Sequence, residues 1–335
     1  MKNINKFFLL GGTISIVEAG VLLKKKKLKY FIFTSKRQLK DKIIDNTNTL
    51  EDALNRNNLH YKVVKNINTN SFFHNNFDEN SLCLGFGEPW KFHNNFIARH
   101  KSRLYDFMCI PLPHFRGGAH YTWMSMMQRT DSSVCIQEIT KNTIQGKFDD
   151  GKILMRKNFK VKKNSKPSDF FYLEKKNSVF LLKNFFYQIM KSKKIKMKKL
   201  NESGSMFFPR LFTSKNGWVD WNWNGNDILK FINSFDNPYN GVSTRYLKNN
   251  KVNKLVHLKD ASWENKKIKF HPFQSGLIIN KVSNGIIVAT TDGSIKIKKV
   301  IDKNKKNILK KIQVGKRLHS FLNDLSISKS FVPNY

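Results

Sequence analysis

Acidic residues are scarce in this sequence. Its 335 residues hold 24 Asp and Glu against 61 Lys and Arg, a formal charge of +37. Cysteine is scarcer still. Cys83, Cys109 and Cys135 are too few and too scattered for a disulfide framework. No Cys-x-x-Cys pair exists, so no structural zinc site and no other metal is expected, and a reducing compartment is the default. No apolar run approaches the roughly 20 residues that cross a bilayer, so no membrane contact is expected. Phe7–Leu10 is only strand length, and Gly11–Gly12 follow at once without a small-residue cleavage site. That argues against a secretory signal, and no Arg- and Ser-rich organellar leader is visible. No internal repeat is present.

Apolar residues make up 40% of the chain and aromatics 13%, with 28 Phe. That is enough to build cores and excludes a wholly disordered basic tail. The length fits two domains, or one large one. A basic chain attracts nucleic acid through counterion release. Lys, Asn, Ile and Phe are abundant together, however, which AT-rich coding produces whatever the function. The charge alone therefore does not establish an RNA partner.

The first part of the chain alternates strand and helix patterns. Phe7–Leu10 reads as a strand, Ile14–Leu23 as a helix closed by Lys24–Lys27, and Tyr30–Thr34 as a strand. Thr49–Asn57 reads as a helix, then Tyr61–Val64 and Leu82–Phe86 as strands. This order predicts a parallel sheet with helices on both faces. Lys191–Lys199 is a basic stretch that reads as a linker or an exposed helix end. After Met206 short strands alternate with turn signals. Leu277–Ile279, Ile286–Thr290 and Ser294–Ile297 are separated by Ser283-Asn284-Gly285 and Asp292-Gly293, which are hairpin signals. A small β-barrel or sandwich is expected there.

Several segments in order carry a family resemblance. They are Leu112-Pro113-His114-Phe115-Arg116-Gly117-Gly118, then Phe148-Asp149-Asp150-Gly151-Lys152-Ile153-Leu154, then Phe208-Pro209-Arg210 through Asn216-Gly217-Trp218-Val219-Asp220-Trp221 to Asn237-Pro238-Tyr239-Asn240-Gly241. Ile286–Gly293 and Gly315-Lys316-Arg317 follow. Together the sequence resembles the formyltransferase family, and most its methionyl-tRNA formyltransferase branch. The resemblance implies an α/β fold: a Rossmann-like parallel-sheet domain over residues 1–190, a basic linker over 191–205, an OB-like β-barrel domain over 206–320, and a tail over 321–335. It implies 10-formyltetrahydrofolate as the formyl donor of an active member, and no cofactor otherwise.

Formyl transfer needs an oxyanion stabilised and one proton managed. The family uses an Asn, a His two residues on, and a distant Asp. Counting back from Leu112 puts Asp106 at the Asn position and Met108 at the His position, while Asp149 matches the distant Asp. Skipping an apparent insertion at Lys141–Lys147 would place Ile144 there instead. Methionine carries no proton, and an ionised Asp106 would repel the developing charge. Loss of one oxyanion donor costs about 2.7–4 kcal/mol, so two altered positions of three predict little activity. His114 or His120 could stand in for the missing imidazole.

Each residue also has a plainer reading. Asp149 could cap a turn, His114 and His120 could be ordinary loop residues, and Arg116 could hold a carboxylate or carbonyl in a structural turn. The resemblance places the folate wall at Phe86, Gly87 and Trp90 together with Arg116, Gly117 and Gly118, although filling core is the simpler role for Trp90. Trp218, Trp221 and Trp223 fit a half-buried strand or turn more simply than base stacking. Lys193, Lys194, Lys196, Lys198 and Lys199 are the expected RNA contacts.

Two functions follow. One is a catalytically degenerate formyltransferase-like protein that binds tRNA or ribosomal RNA, monomeric unless part of a ribonucleoprotein. The other is an active formyltransferase acting on methionyl-tRNA or an amino sugar. The cytoplasm is the expected location, with the mitochondrion or another organelle as the alternative.

Overall fold

The Phe7–Leu10 run forms strand β1 (Lys6–Gly11), whose alternate residues face two different cores. Phe7 and Leu9 enter one cluster with Leu82, Leu84 and Phe86, whereas Phe8 and Leu10 enter another with Phe33, Phe73 and Phe96. A strand with apolar side chains on both faces needs cover on both, which is why the run is continuous rather than alternating. The computed structural model describes residues 4–43, 48–141, 149–193, 195–247 and 253–331. The chain divides into two units. The first comprises Met1–Gly117, Asp131–Val161 and Phe171–Phe207, and the second comprises Gly118–Thr130, Lys162–Phe170 and Phe208–Tyr335.

In the first unit, α1 (Ile14–Lys25) leads to β2 (Lys29–Thr34), α2 (Lys36–Leu39), α3 (Leu50–Arg56), β3 (Tyr61–Val63), α4 (Ser71–Asn76) and β4 (Ser81–Phe86). Then come α5 (Asn94–Arg99), β5 (Leu104–Met108), the two-residue β6 (Arg116–Gly117), β7 (Asp131–Glu138) and β8 (Ile153–Lys160). The seven-stranded sheet runs β3-β2-β1-β4-β5-β7-β8. The first five strands in that order pair in parallel, while β7 and β8 are antiparallel. The Rossmann-like parallel sheet expected from the strand–helix alternation is therefore present, extended by an antiparallel edge. Thr49 caps α3 through a reciprocal capping box with Asp52.

The sequence pattern assigns no element to 167–190, yet α7 (Pro167–Met190) fills it. Leu181, Leu182, Phe185, Phe186 and Ile189 from this helix enter the core that holds Phe7 and Leu9. Beyond it, Ile195 and Met197 pack on the same core, and Lys198 forms a bridge with Ile153. The basic stretch is thus pinned to the first unit by its few apolar residues and by backbone bonds. It is followed by the short β9 (Phe207–Phe208).

The second unit contains α6 (His120–Met126), α8 (Thr213–Asn216), α9 (Gly225–Ser234), β10 (Val242–Leu247), β11 (Asn253–Asn265), β12 (Ile278–Val282), β13 (Gly285–Thr290), β14 (Gly293–Asp302), β15 (Arg317–His319) and α10 (Leu322–Ser328). Its six-stranded sheet runs β12-β13-β14-β11-β10-β15. Val282 pairs with Gly285 and Thr290 with Gly293, so the Asn-Gly and Asp-Gly signals both form tight hairpins. The expected OB-like barrel is not a closed barrel. The edge regions meet through the Leu277 to Arg317 bridge and main-chain bonds from Ile278 N to Lys316 O and from Leu318 N to Gly276 O, but among the described residues no pairing of β12 with β15 closes the sheet. Trp221 is buried with its Nε1 donating to Thr244 Oγ1 at 3.0 Å. Trp218 lies against Arg245, and Trp223 packs edge-on to Phe231. Among the described residues, no helix is long and apolar enough to cross a membrane.

Candidate functional site

The site grows from one row of the first unit's sheet. Gly85 of β4 pairs with Asp106 of β5, and Asp106 pairs with Gln137 of β7. In-register neighbours share a face of the sheet. Gly85 contributes no side chain to that row, and Gly87 at φ 65° turns the chain just beyond it. Glu88 fills the space that Gly85 leaves. A Cβ on Gly85 would stand 2.5 Å from Glu88 Oε2 and 3.0 Å from Asp106 Oδ1. Both oxygens are buried and have no hydrogen-bond partner.

Asp149 lines the same cavity as Glu88 and Asp106. Gln137 Nε2 donates to Asp149 O at 2.7 Å and to Gly151 O at 2.9 Å, fixing the turn that carries the Asp149 side chain. Gly151 is required, because a Cβ there would run into Glu138 O. The Asp149 carboxylate accepts a hydrogen bond from the Gly117 backbone N–H and lies near the Arg116 guanidinium. Glu88, Trp90, Asp106, Gln137, Asp149 and Asp150 are among the residues lining one cavity of about 150 Å³.

Burial sets the electrostatics. It pushes Glu88 up to about 7, opposed by a hydrogen bond from the Glu88 backbone N–H and reinforced by the charge of Asp149. It holds Asp106 well above the usual carboxylate range, reinforced by Glu88 and then Asp149. Asp149 is raised by the same desolvation, opposed by the Gly117 N–H and by Arg116. A carboxyl stripped of water keeps its proton because the ionised form has lost its solvation. The ionised Asp106 expected from sequence is therefore disfavoured, because burial and the neighbouring carboxyls favour its protonated form.

The other expected site residues are placed as follows. Met108 packs on the apolar cluster of Ile110, Leu112, Cys135, Ile153 and Leu200. His114 Nδ1 lies 2.6 Å from Gly204 O, and it does not line the carboxyl cavity. His120 begins α6 of the second unit. Its Nδ1 lacks a partner, and burial pushes its imidazole down to about 4. Arg116 is held by Glu202, through Nη1 to Oε2 at 2.7 Å and Nη2 to Oε1 at 3.0 Å, with Ser205 Oγ also 2.7 Å from Nη1. That is the structural-turn reading of Arg116. Phe86 is fully buried and packs against Phe107, so it serves the core. Gly87 O accepts from Gln38 Nε2 at 2.8 Å. Trp90 donates from Nε1 to Lys65 O at 3.1 Å while lining the cavity. Gly118 falls in the second unit. Lys193, Lys196, Lys198 and Lys199 are exposed. Lys194, like Ile144 and Phe148 of the motif region, lies outside the described residues.

Glu88 and Gln137 escaped the sequence reading. The available signal for Glu88 was a charge set between Gly87 and Pro89 directly after a fully apolar strand. Gln137 offered none beyond being polar within the buried run of β7. Among the described residues, no group of three His, Cys, Asp or Glu is arranged to hold a metal ion.

Comparison with known proteins gives this geometry a context. Residues 212–312 match the family described as formyl transferase, C-terminal domain. The bifunctional polymyxin resistance protein ArnA of Wigglesworthia glossinidia brevipalpis is 27% identical over 187 residues, which is 56% of this chain and 26% of that protein. The chain thus spans about a quarter of the length of this curated relative. Among the solved structures that share the fold are two formyltransferases. One is an N-formyltransferase from Helicobacter canadensis in complex with folinic acid and dTDP-3-aminofucose, with a TM-score of 0.63, 14% identity, and coverage of 88% of this chain and 99% of that one. The other is WlaRD, a sugar 3N-formyltransferase in the presence of dTDP and 5-N-formyl-THF, with a TM-score of 0.61, 15% identity, and coverage of 91% and 100%. The chain has the formyltransferase fold, and residues 212–312 of its second unit match that family's C-terminal domain.

Proposed function

We propose that this protein transfers a formyl group from 10-formyltetrahydrofolate to a primary amine, and that the amine belongs to a nucleotide-linked amino sugar. The observation that carries the reading is the convergence of Asp106 and Asp149 on one buried cavity. A solvent-exposed Asp106 would be ionised and would oppose a developing oxyanion. A protonated carboxyl instead donates a hydrogen bond, as an amide would. Asp106 then donates to the developing charge, and Asp149, oriented by Gly117 and Gln137, accepts a hydrogen bond that aims the attacking nitrogen without taking its proton.

The residues present suit a folate. Trp90, Phe92 and Ile97 give the cavity an apolar wall for a flat ring, while Glu88 Oε2 and Asp106 Oδ1 offer unsatisfied polar atoms. The folate supplies the formyl group, and the chain supplies orientation, exclusion of water and proton management. The amino-sugar acceptor is supported by the sugar N-formyltransferases that share the fold.

A second reading keeps the fold without the chemistry. Met108 at the expected imidazole position and the exposed Lys193, Lys196, Lys198 and Lys199 favour a degenerate protein that binds tRNA or ribosomal RNA. One set of measurements separates the two. The pure protein is incubated with 10-formyltetrahydrofolate and either a dTDP-linked amino sugar or charged initiator tRNA, and formylated product is followed. Formylated sugar whose yield collapses in Asp149→Asn supports the first reading. No product with either acceptor, together with tRNA affinity that falls steeply with salt, would replace it with the second.

A further inference from the structure

The geometry points to Glu88 as the proton-carrying group of this site, paired with Asp106 so that the two carboxyls hold one proton between them. The chemistry of this role rests on the formyl-transfer reading above. Three observations carry the pairing. Glu88 Oε2 and Asp106 Oδ1 approach the same point above Gly85. Both atoms are buried without a hydrogen-bond partner, and both residues line the cavity. The amide of Gln137, which lines the same cavity, is taken up by the carbonyls of Asp149 and Gly151.

Two carboxyls whose buried oxygens both approach the Gly85 Cβ position resist ionising together, so they titrate as a pair. The backbone N–H groups of Glu88 and Phe107 each favour the ionised form of one carboxyl, but desolvation outweighs them. Lys91, Glu138, Asp149 and Asp150 line the same cavity, and Arg116 acts on Asp149. The thiols of Cys83, Cys109 and Cys135 feel the charge of Asp106 and are themselves held up by burial. Among the described residues, neither Glu88 nor Asp106 is in an ion pair.

A pair with one proton is at once an acceptor and a donor. Formyl transfer asks for both. The acceptor nitrogen forms a bond to the formyl carbon, and the bond from that carbon to the donor nitrogen breaks. The ionised member of the pair takes the proton that the acceptor nitrogen loses. The protonated member gives its proton to the nitrogen left behind. The pair ends with one proton, as it began. In this arrangement Glu88 does the work that an imidazole would do, at a site where Met108 leaves none.

The test uses the full chain with Glu88→Gln, which keeps the shape, and Glu88→Asp, which keeps the acid. Infrared titration of the unliganded protein reads the shared proton directly. The expected result is a protonated carboxyl that ionises near neutrality in the wild type and is absent in Glu88→Gln, with melting curves confirming the fold. Turnover in Glu88→Gln is expected to fall about 10²-fold or more, with the neutral limb of the pH–rate profile removed and partly restored in Glu88→Asp. Wild-type turnover and pH profile in Glu88→Gln would overturn the role. An unchanged carboxyl titration in Glu88→Gln would overturn the pairing. A shared proton in a wild type that formylates no acceptor would overturn the formyl-transfer reading while upholding the pair.

Discussion

Glu88 Oε2 and Asp106 Oδ1 converge above Gly85, 2.5 Å and 3.0 Å from where a Cβ on that glycine would stand. The convergence depends on Gly85 lacking a side chain. Gly85→Ala would press a methyl against an oxygen of each carboxyl. The Glu88 side chain can swing aside, so the stability cost should stay near 1 kcal/mol, within the ordinary range for a point change. Turnover should fall at least tenfold because the pair is split. Thermal melts and initial rates on the same preparation check both parts.

The raised Glu88 carboxyl makes stability depend on pH with a definite sign. In the unfolded chain Glu88 ionises near 4.5, whereas in the folded chain it does so near 7. Between those values the unfolded state releases the proton and the folded state keeps it. Folding stability contributed by this group is therefore full below about 4.5 and lost as pH rises towards about 7. The slope is at most roughly 1.4 kcal/mol per pH unit. Urea unfolding across the interval should show it in the wild type and a flatter profile in Glu88→Gln. Equal slopes would contradict the assignment.

Asp149→Asn should leave the fold in place, because the turn is held by Gln137 through main-chain carbonyls. Turnover should drop by about 10²–10³, the usual loss for one group that acts on the transition state. Gln137→Leu should behave oppositely. It leaves two buried carbonyls without their donor, which costs about 1–3 kcal/mol, so its first effect should be a lower melting temperature.

Met108→His restores the residue type that the family resemblance leads one to expect, yet Met108 packs on Ile110, Leu112, Cys135, Ile153 and Leu200. An imidazole there is a polar group among apolar ones, and its cost is about 1–3 kcal/mol. We expect lower stability and no gain in formyl transfer from this single change. A gain of turnover at unchanged stability would show that residue 108 reaches the reacting groups.

Arg116→Lys should weaken the link to Glu202, since the two parallel bonds from Nη1 and Nη2 need a guanidinium. Lys keeps the positive charge near Asp149 but not the fork. The expected result is a modest loss of stability with little change in the pH profile, measured by melting and by rate against pH.

Local patterns decided a large part of this protein. The apolar run of Phe7–Leu10, the Thr49 cap and the Asn284-Gly285 turn each act over a few residues, so their elements can be read along the chain. The alternation of strand and helix settled the parallel sheet, and the ordered motifs from Leu112 onwards pointed to the formyltransferase fold. Helix α7 was not legible in the same way, because its stability comes from Leu181, Phe185 and Phe186 packing on distant strands. Asp106 and Asp149 could be picked out from the sequence, but not their protonation, nor their companion Glu88. Whether a carboxyl is an anion or an acid depends on how much water and charge surround it. That environment is assembled from β4, β5, β7 and the turn at Asp149, which meet only in the folded chain. The second sheet's failure to close into a barrel is likewise a matter of edges meeting across many residues. Sequence alone determined which groups the site has to work with; tertiary structure decided which of them lost their water, and so which can carry a proton.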